Sequence, residues 1–286
     1  MKSCNKCCAK ICLTLVVCLW SCFTIKALRF PINSKECGLS EPLGRVINGK
    51  ITWRAQVPWL VHIFSALERG KGIPCGGSII TQNVIMTAAH CMYEKSKAGR
   101  VVVYYNTTSL HDDQFIDVEQ AMIHPKYRNL DSGYNIALLK LSSPIKQFDR
   151  FVRPVCLPKQ GEPTKAGQMI IAGFGDIDMK KKPADRIFYY RAHVLSDSSC
   201  AHAISLQWKR ISSRARKLFM CSKNSHETAY AGDSGDPVTA YVGTKSVQYG
   251  IVTFGHKQNR GPAPVVHTRV SMFIKWICEI LRSIDE

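Results

Sequence analysis

The chain has 286 residues, 45% of them hydrophobic, and a formal net charge of +18. This composition excludes an intrinsically disordered chain and is ample for a large core. The length allows one or two domains, and all-β folds of about 200–250 residues often form one.

The N-terminus is unlike the rest. Lys2, Lys6 and Lys10 precede an apolar run from Ile11 to Phe23. That run is short for a bilayer, which needs about 20 apolar residues. A basic start before a short apolar run reads as a secretory signal peptide over residues 1–27, with its cut between Cys22 and Leu28. Six of the thirteen cysteines lie in this leader. The seven that remain, at 37, 75, 91, 156, 200, 221 and 278, predict three disulfides and one odd thiol in a secreted, extracellular chain. Asn106-Thr107-Thr108 is a glycosylation sequon, in keeping with export.

The leader does not explain the charge. From Val46 onward there are 32 Lys+Arg against 19 Asp+Glu, which leaves +13. The excess gathers at Lys180–Lys182 and from Lys209 through Arg214, Arg216 and Lys217. Such clusters are solvated loops or contacts for sulfated glycans and anionic surfaces. No nucleic-acid motif accompanies them, and export argues against that partner.

Residues 29–45 are loop-like, with Pro31, Gly38, Pro42 and Gly44. Short β-type runs follow: Trp59–Phe64, Ser78–Met86, Val101–Tyr105, Ile136–Leu141, Met169–Ala172, Val247–Phe254 and Val265–Val270. Many short strands punctuated by Gly and Pro predict an all-β sandwich or barrel. No internal repeat is visible. After Ser271, the residues Phe273, Trp276, Ile277, Ile280, Leu281 and Ile284 fall at helical spacing. They predict one amphipathic C-terminal helix packed on the β body.

Three segments carry chemistry: Thr87-Ala88-Ala89-His90-Cys91, Asn135-Ile136-Ala137-Leu138-Leu139-Lys140-Leu141, and Gly232-Asp233-Ser234-Gly235-Asp236-Pro237. Each alone is short. Together, in this order in an exported β-rich chain, they resemble the trypsin/chymotrypsin family of serine proteases. The resemblance runs from Cys37 to the C-terminal helix. It implies two six-stranded antiparallel Greek-key barrels with the site between them.

It also implies roles. Ser234 is the expected nucleophile and His90 its base, with the N–H groups of Gly232 and Ser234 as the oxyanion hole. Arg45-Val46-Ile47-Asn48-Gly49 resembles the family's activation site. Residues 28–45 would then be a propeptide and 46–286 the peptidase domain. A cut after Arg45 would free the Val46 ammonium to pair with Asp233, a buried pair that is expensive to break.

Four positions depart from the pattern. Asn135 stands where the family has aspartate, so the base lacks a charged orienter. Thr228 stands at the base of the substrate pocket and Val265 on its wall, so the pocket is narrow and uncharged. Thr253-Phe254-Gly255 resembles the edge that pairs with substrate backbone. Asp236 replaces a glycine after the nucleophile. By the resemblance, Cys75 pairs with Cys91, Cys37 with Cys156 and Cys200 with Cys221, leaving Cys278 over. The bond flanking the pocket is missing, with Tyr230 at one of its positions.

Two functions fit these residues. One is a secreted serine endopeptidase, made as a zymogen, with weakened catalysis. The other is an inactive protease homologue that binds an extracellular partner. The expected partners are a protein or peptide substrate or ligand, an activating protease, and sulfated glycans or anionic surfaces. No cofactor is expected, and the histidines form no zinc pattern.

Overall fold

A computed structural model describes residues 32–43, 50–66, 72–93, 100–107, 114–164, 167–174, 187–207, 211–223, 234–254 and 264–285. The expected signal peptide 1–27, Arg45, Val46, Lys180–Lys182, Lys209, Thr228, Tyr230, Gly232, Asp233 and Gly255 lie outside them.

In chain order the strands are β1 Lys50–Ile51, β2 Leu60–Ala66, β3 Gly72–Ile79, β4 Val84–Thr87, β5 Arg100–Tyr104, β6 Phe115–Ile123, β7 Ala137–Leu141, β8 Gln168–Gly173, β9 Phe188–Val194, β10 Phe219–Lys223, β11 Pro237–Val242, β12 Lys245–Phe254 and β13 Val265–Arg269. Four helices join them: α1 His90–Tyr93, α2 Asp197–Gln207, α3 Ser213–Arg216 and α4 Ile274–Asp285.

The strands close two antiparallel barrels. The first runs β2-β3-β4-β7-β6-β5. The second runs β8-β9-β10-β13-β12-β11, closed by pairing of β8 with both β9 and β11, with β1 added beside β9. The expected pair of six-stranded barrels is what the chain forms. Both follow one connection order, although the sequence carries no visible repeat.

The expected run Ser78–Met86 divides. Ser78 and Ile79 end β3, and β4 starts at Val84. Between them the Ile80 N–H donates to the Val84 carbonyl at 3.0 Å, and the Asn83 N–H donates to Thr81 Oγ1 at 3.2 Å. The polar trio Thr81-Gln82-Asn83 is the turn chemistry inside that run.

Alternation fills the interiors. Val61, Ile63, Ile79, Ile85 and Leu139 are buried in the first barrel, and Met169, Ile171, Met220, Val238 and Val252 in the second. The expected terminal helix is α4. Phe273, Ile277 and Leu281 face inward while Lys275, Glu279 and Arg282 are exposed. Although α4 follows the second barrel, its apolar face joins the core of the first. His124, just after β6, stacks on Tyr134 at 4.9 Å and meets Trp276 at 5.0 Å and Phe273 at 5.4 Å.

Three disulfides bind the chain: Cys37–Cys156, Cys75–Cys91 and Cys200–Cys221. Cys278 is half-buried on α4, and burial pushes its thiol pKa up. Among the described residues no helix is long and apolar enough to cross a membrane.

Candidate active site

The site forms where the barrels meet. His90 opens α1, just after β4 of the first barrel, with Cys91 tied to Cys75 on β3. Asn135 precedes β7, fully buried. Ser234 lies on the turn before β11 of the second barrel. His90 and Ser234 are both half-buried.

Backbone bonds fix the serine turn from two sides. The Gly76 N–H donates to the Ser234 carbonyl at 2.8 Å, the Gly235 N–H to the Val252 carbonyl at 2.9 Å, and the Val252 N–H to the Asp236 carbonyl at 2.9 Å. Gly235 sits at φ 92°, and a Cβ there would collide with the Gly76 carbonyl and Thr87 Oγ1. Only glycine suits both the angle and the approach. Thr87 Oγ1 donates to that same carbonyl at 2.7 Å. The Cys91 sulfur lies 3.9 Å from His90 Nε2 and 3.6 Å from the Ser234 carbonyl oxygen, which places the two segments together. His90, Cys75 and Cys91 are clustered, but the two sulfurs are joined to each other and supply no thiolate for a metal.

Asn135 makes two contacts with His90. Its Oδ1 accepts the backbone N–H of His90 at 2.8 Å. Its Nδ2 lies 2.9 Å from His90 Nδ1, with Oδ1 farther from that nitrogen at 3.2 Å. The backbone bond orients the amide. Turned over, its NH₂ would face an N–H donor, and two donors cannot bond. In the orientation held, Nδ2 is the nearer end of the amide to Nδ1. It donates to Nδ1 when the ring carries its proton on Nε2, whereas Oδ1 accepts when Nδ1 is protonated. A neutral imidazole that accepts at Nδ1 carries its proton on Nε2.

A hydroxyl pair supports Asn135 from the second barrel. Thr268 Oγ1 donates to the Asn135 carbonyl at 3.0 Å and lies 2.9 Å from Thr253 Oγ1. Thr253 Oγ1 also accepts the Thr268 N–H at 3.1 Å. No motif in the sequence marks Thr268. Its role depends on β12–β13 register, where Ile251 faces Thr268, and no local motif encodes that. Val265 is buried on β13, and Phe254 pairs with Val266 across β12 and β13.

Asp236 is 1% exposed. Its carboxylate fills the space where Gly76 on β3 and Gly173 on β8 have no side chain, since a Cβ on either would collide with it. The residue after the serine turn is thus a polar wedge between the barrels.

Two antiparallel barrels of one topology, with a histidine and a serine brought together at their seam, define a serine-protease fold. The trypsin family model matches residues 46–277, and the chain belongs to that family. It is 26% identical over 265 residues to the clotting factor G beta subunit of Tachypleus tridentatus, covering 88% of this chain and 85% of that protein. It is 27% identical over 289 residues to phenoloxidase-activating factor 3 of Holotrichia diomphalia, covering 93% and 80%. The solved structure of HL collagenase superposes with a TM-score of 0.69 at 22% identity, over 82% of this chain and 98% of that one.

Proposed function

We propose that the chain is a secreted serine endopeptidase, made as a zymogen cut after Arg45, whose turnover is held down by Asn135. One observation carries this reading: the Asn135 amide is oriented by the His90 backbone so that its NH₂ meets Nδ1. Ser234 Oγ attacks a carbonyl only as its proton leaves for Nε2 of His90. With Nδ1 accepting from Asn135, Nε2 already holds a proton and has no lone pair to offer. The neutral amide also gives the imidazolium no counter-charge. In such a triad this exchange costs about 10⁴-fold in turnover, roughly 5.5 kcal/mol of barrier.

The remaining roles follow the family. The N–H groups of Gly232 and Ser234 hold the oxyanion. Thr228 and Val265 shape a narrow uncharged pocket that takes small or medium apolar side chains. Thr253, Phe254 and Gly255 pair with substrate backbone. The Val46 ammonium pairs with Asp233, and an N-glycan is carried at Asn106. The family match begins at Val46, the residue that a cut after Arg45 makes the first, which supports the zymogen boundary. The substrate is a protein or peptide, and a second protease makes the activating cut.

The second reading is an inactive homologue that binds its partner in this cleft. Asp236, buried immediately after the serine turn, favours it. A fluorophosphonate probe, read by intact mass on chain cut after Arg45, separates the two. Slow labelling of the wild type, labelling up to about 10⁴-fold faster in Asn135→Asp, and none in Ser234→Ala support the endopeptidase. If Asn135→Asp also fails to label, the inactive homologue stands.

A further inference from the structure

Phe151 carries two positive charges. The guanidinium carbon of Arg54 lies 4.5 Å from the centre of its ring, and that of Arg150 lies 4.4 Å from the same centre. The two charges are therefore no farther apart than the sum of those distances, about a Debye length in physiological salt. Arg153 follows two residues on, its Nε–H donating to the Asp149 carbonyl at 2.6 Å. Its N–H donates to the Pro58 carbonyl at 3.0 Å, which holds this turn beside the Arg54–Gln56 segment.

Among the described residues none of these three arginines has a carboxylate partner. The described residues that form salt bridges are Arg100, Lys140 and Arg269 with their acids. Asp149, the nearest acid in sequence, spends Oδ1 on the N–H groups of Phe151 and Val152 at 2.7 and 2.9 Å. Glu41, whose N–H bonds the Ala55 carbonyl, is exposed and in no ion pair among the described residues. Arg54 spends one donor on the Asn106 carbonyl at 3.0 Å, and most of its fork remains. The ring offsets only part of the repulsion, since a cation–π contact contributes about 0.5–1 kcal/mol at exposed sites. Trp53, beside Arg54 in the chain, leaves 69% of its surface in solvent.

We propose that Arg54 and Arg150, which flank the Phe151 ring, together with Arg153 two residues on and Trp53 next to Arg54 in the chain, bind a sulfated polysaccharide. The guanidinium N–H groups these arginines keep free donate to sulfate oxygens in pairs, which lysine does not do. The exposed indole offers a flat apolar face of the kind that covers the C–H face of a pyranose ring, a feature an acidic peptide does not need. None of these residues belongs to the basic clusters that stand out in the sequence, Lys180–Lys182 and the Lys209–Lys217 stretch. It is independent of whether Ser234 turns over substrate.

The test measures binding of a heparin octasaccharide to the full chain over a range of NaCl concentrations. It compares wild type, an Arg54→Gln/Arg150→Gln/Arg153→Gln triple variant, and a Lys180→Gln/Lys181→Gln/Lys182→Gln triple variant. Circular dichroism and Tm verify folding in each. Single Arg→Gln variants replace the triple if it fails to fold. The expected result is at least a tenfold loss in the arginine triple with a shallower salt dependence, and a smaller loss in the lysine triple. Trp53→Phe should also weaken binding, and a poly-glutamate of equal charge should bind at least tenfold more weakly than the octasaccharide. Unchanged binding in the arginine variants overturns the site. Equal affinity for poly-glutamate overturns the assignment to a sulfated sugar.

Discussion

The Asn135 amide has an oxygen end and a nitrogen end, and the His90 backbone accepts only one arrangement of them. Whether that arrangement survives depends on how Asn135 itself is held. Thr268 Oγ1 bonds the Asn135 carbonyl inside a dry seam where both residues are fully buried. Thr268→Val keeps the shape and strands that carbonyl, while Thr253 Oγ1 keeps the Thr268 N–H and the Ile251 carbonyl. Leaving a buried polar group unsatisfied costs about 1–3 kcal/mol. The expected outcome is a drop of that size in urea unfolding, with the slope m unchanged. In the Asn135→Asp background, the probe should also label more slowly. His90, Asn135 and Ser234 were legible because each sits in a short string whose neighbours fix its place. Thr268 was not, because its hydroxyl acts across strand register, which a linear string does not display.

At the scale of elements, the Asp236 wedge couples a turn of the second barrel to two glycines, one from each barrel. Its effect can be measured as a coupling. Gly76→Ala places a methyl against the Asp236 carboxylate, and overpacking of this kind costs about 1–3 kcal/mol. Asp236→Gly removes the obstacle, so the double variant should recover most of that loss. A double-mutant cycle on unfolding free energy reads the difference, and additive losses would exclude the wedge. Strands with strong apolar content, such as β4 and β7, were visible from sequence. β6 was not: Phe115, Glu119, Gln120 and Ala121 are exposed, so its pattern lacks a continuous buried face. α2 was missed because Asp197-Ser198-Ser199-Cys200 gives little helical periodicity, and what it buries is chiefly Cys200 and Ile204. The matching connection order of the barrels was invisible for a related reason. Topology can repeat through burial patterns alone, with no residue in common.

Across the whole molecule, three buried histidines set an acid limit. Burial lowers His62 and His124 to about 4, the latter with help from Lys126, and lowers His267 to about 3. In the unfolded chain an imidazole titrates near 6.5. Above that value both states are neutral and this contribution is fully present. As pH falls from about 6.5 towards 4, the unfolded chain takes up protons that the folded chain refuses, so stability is lost. Tm should fall across that window. His62 Nε2 has no hydrogen-bond partner among the described residues, so His62→Phe should flatten the decline without the loss of a bond. A Tm profile as steep in that variant as in wild type would exclude His62 as a contributor. The Cys37–Cys156 bond acts at the same scale. Beside it the Ser246 N–H donates to the Gly38 carbonyl at 2.8 Å, the Cys156 N–H donates to the Ser246 carbonyl at 3.2 Å, and the Gly38 N–H donates to the Pro154 carbonyl at 2.8 Å. A scission anywhere between Cys37 and Cys156 therefore creates two chain ends without creating two molecules. Whatever stays joined to Cys37 on its N-terminal side remains in fixed one-to-one stoichiometry with the barrels, and its local concentration near them does not fall on dilution.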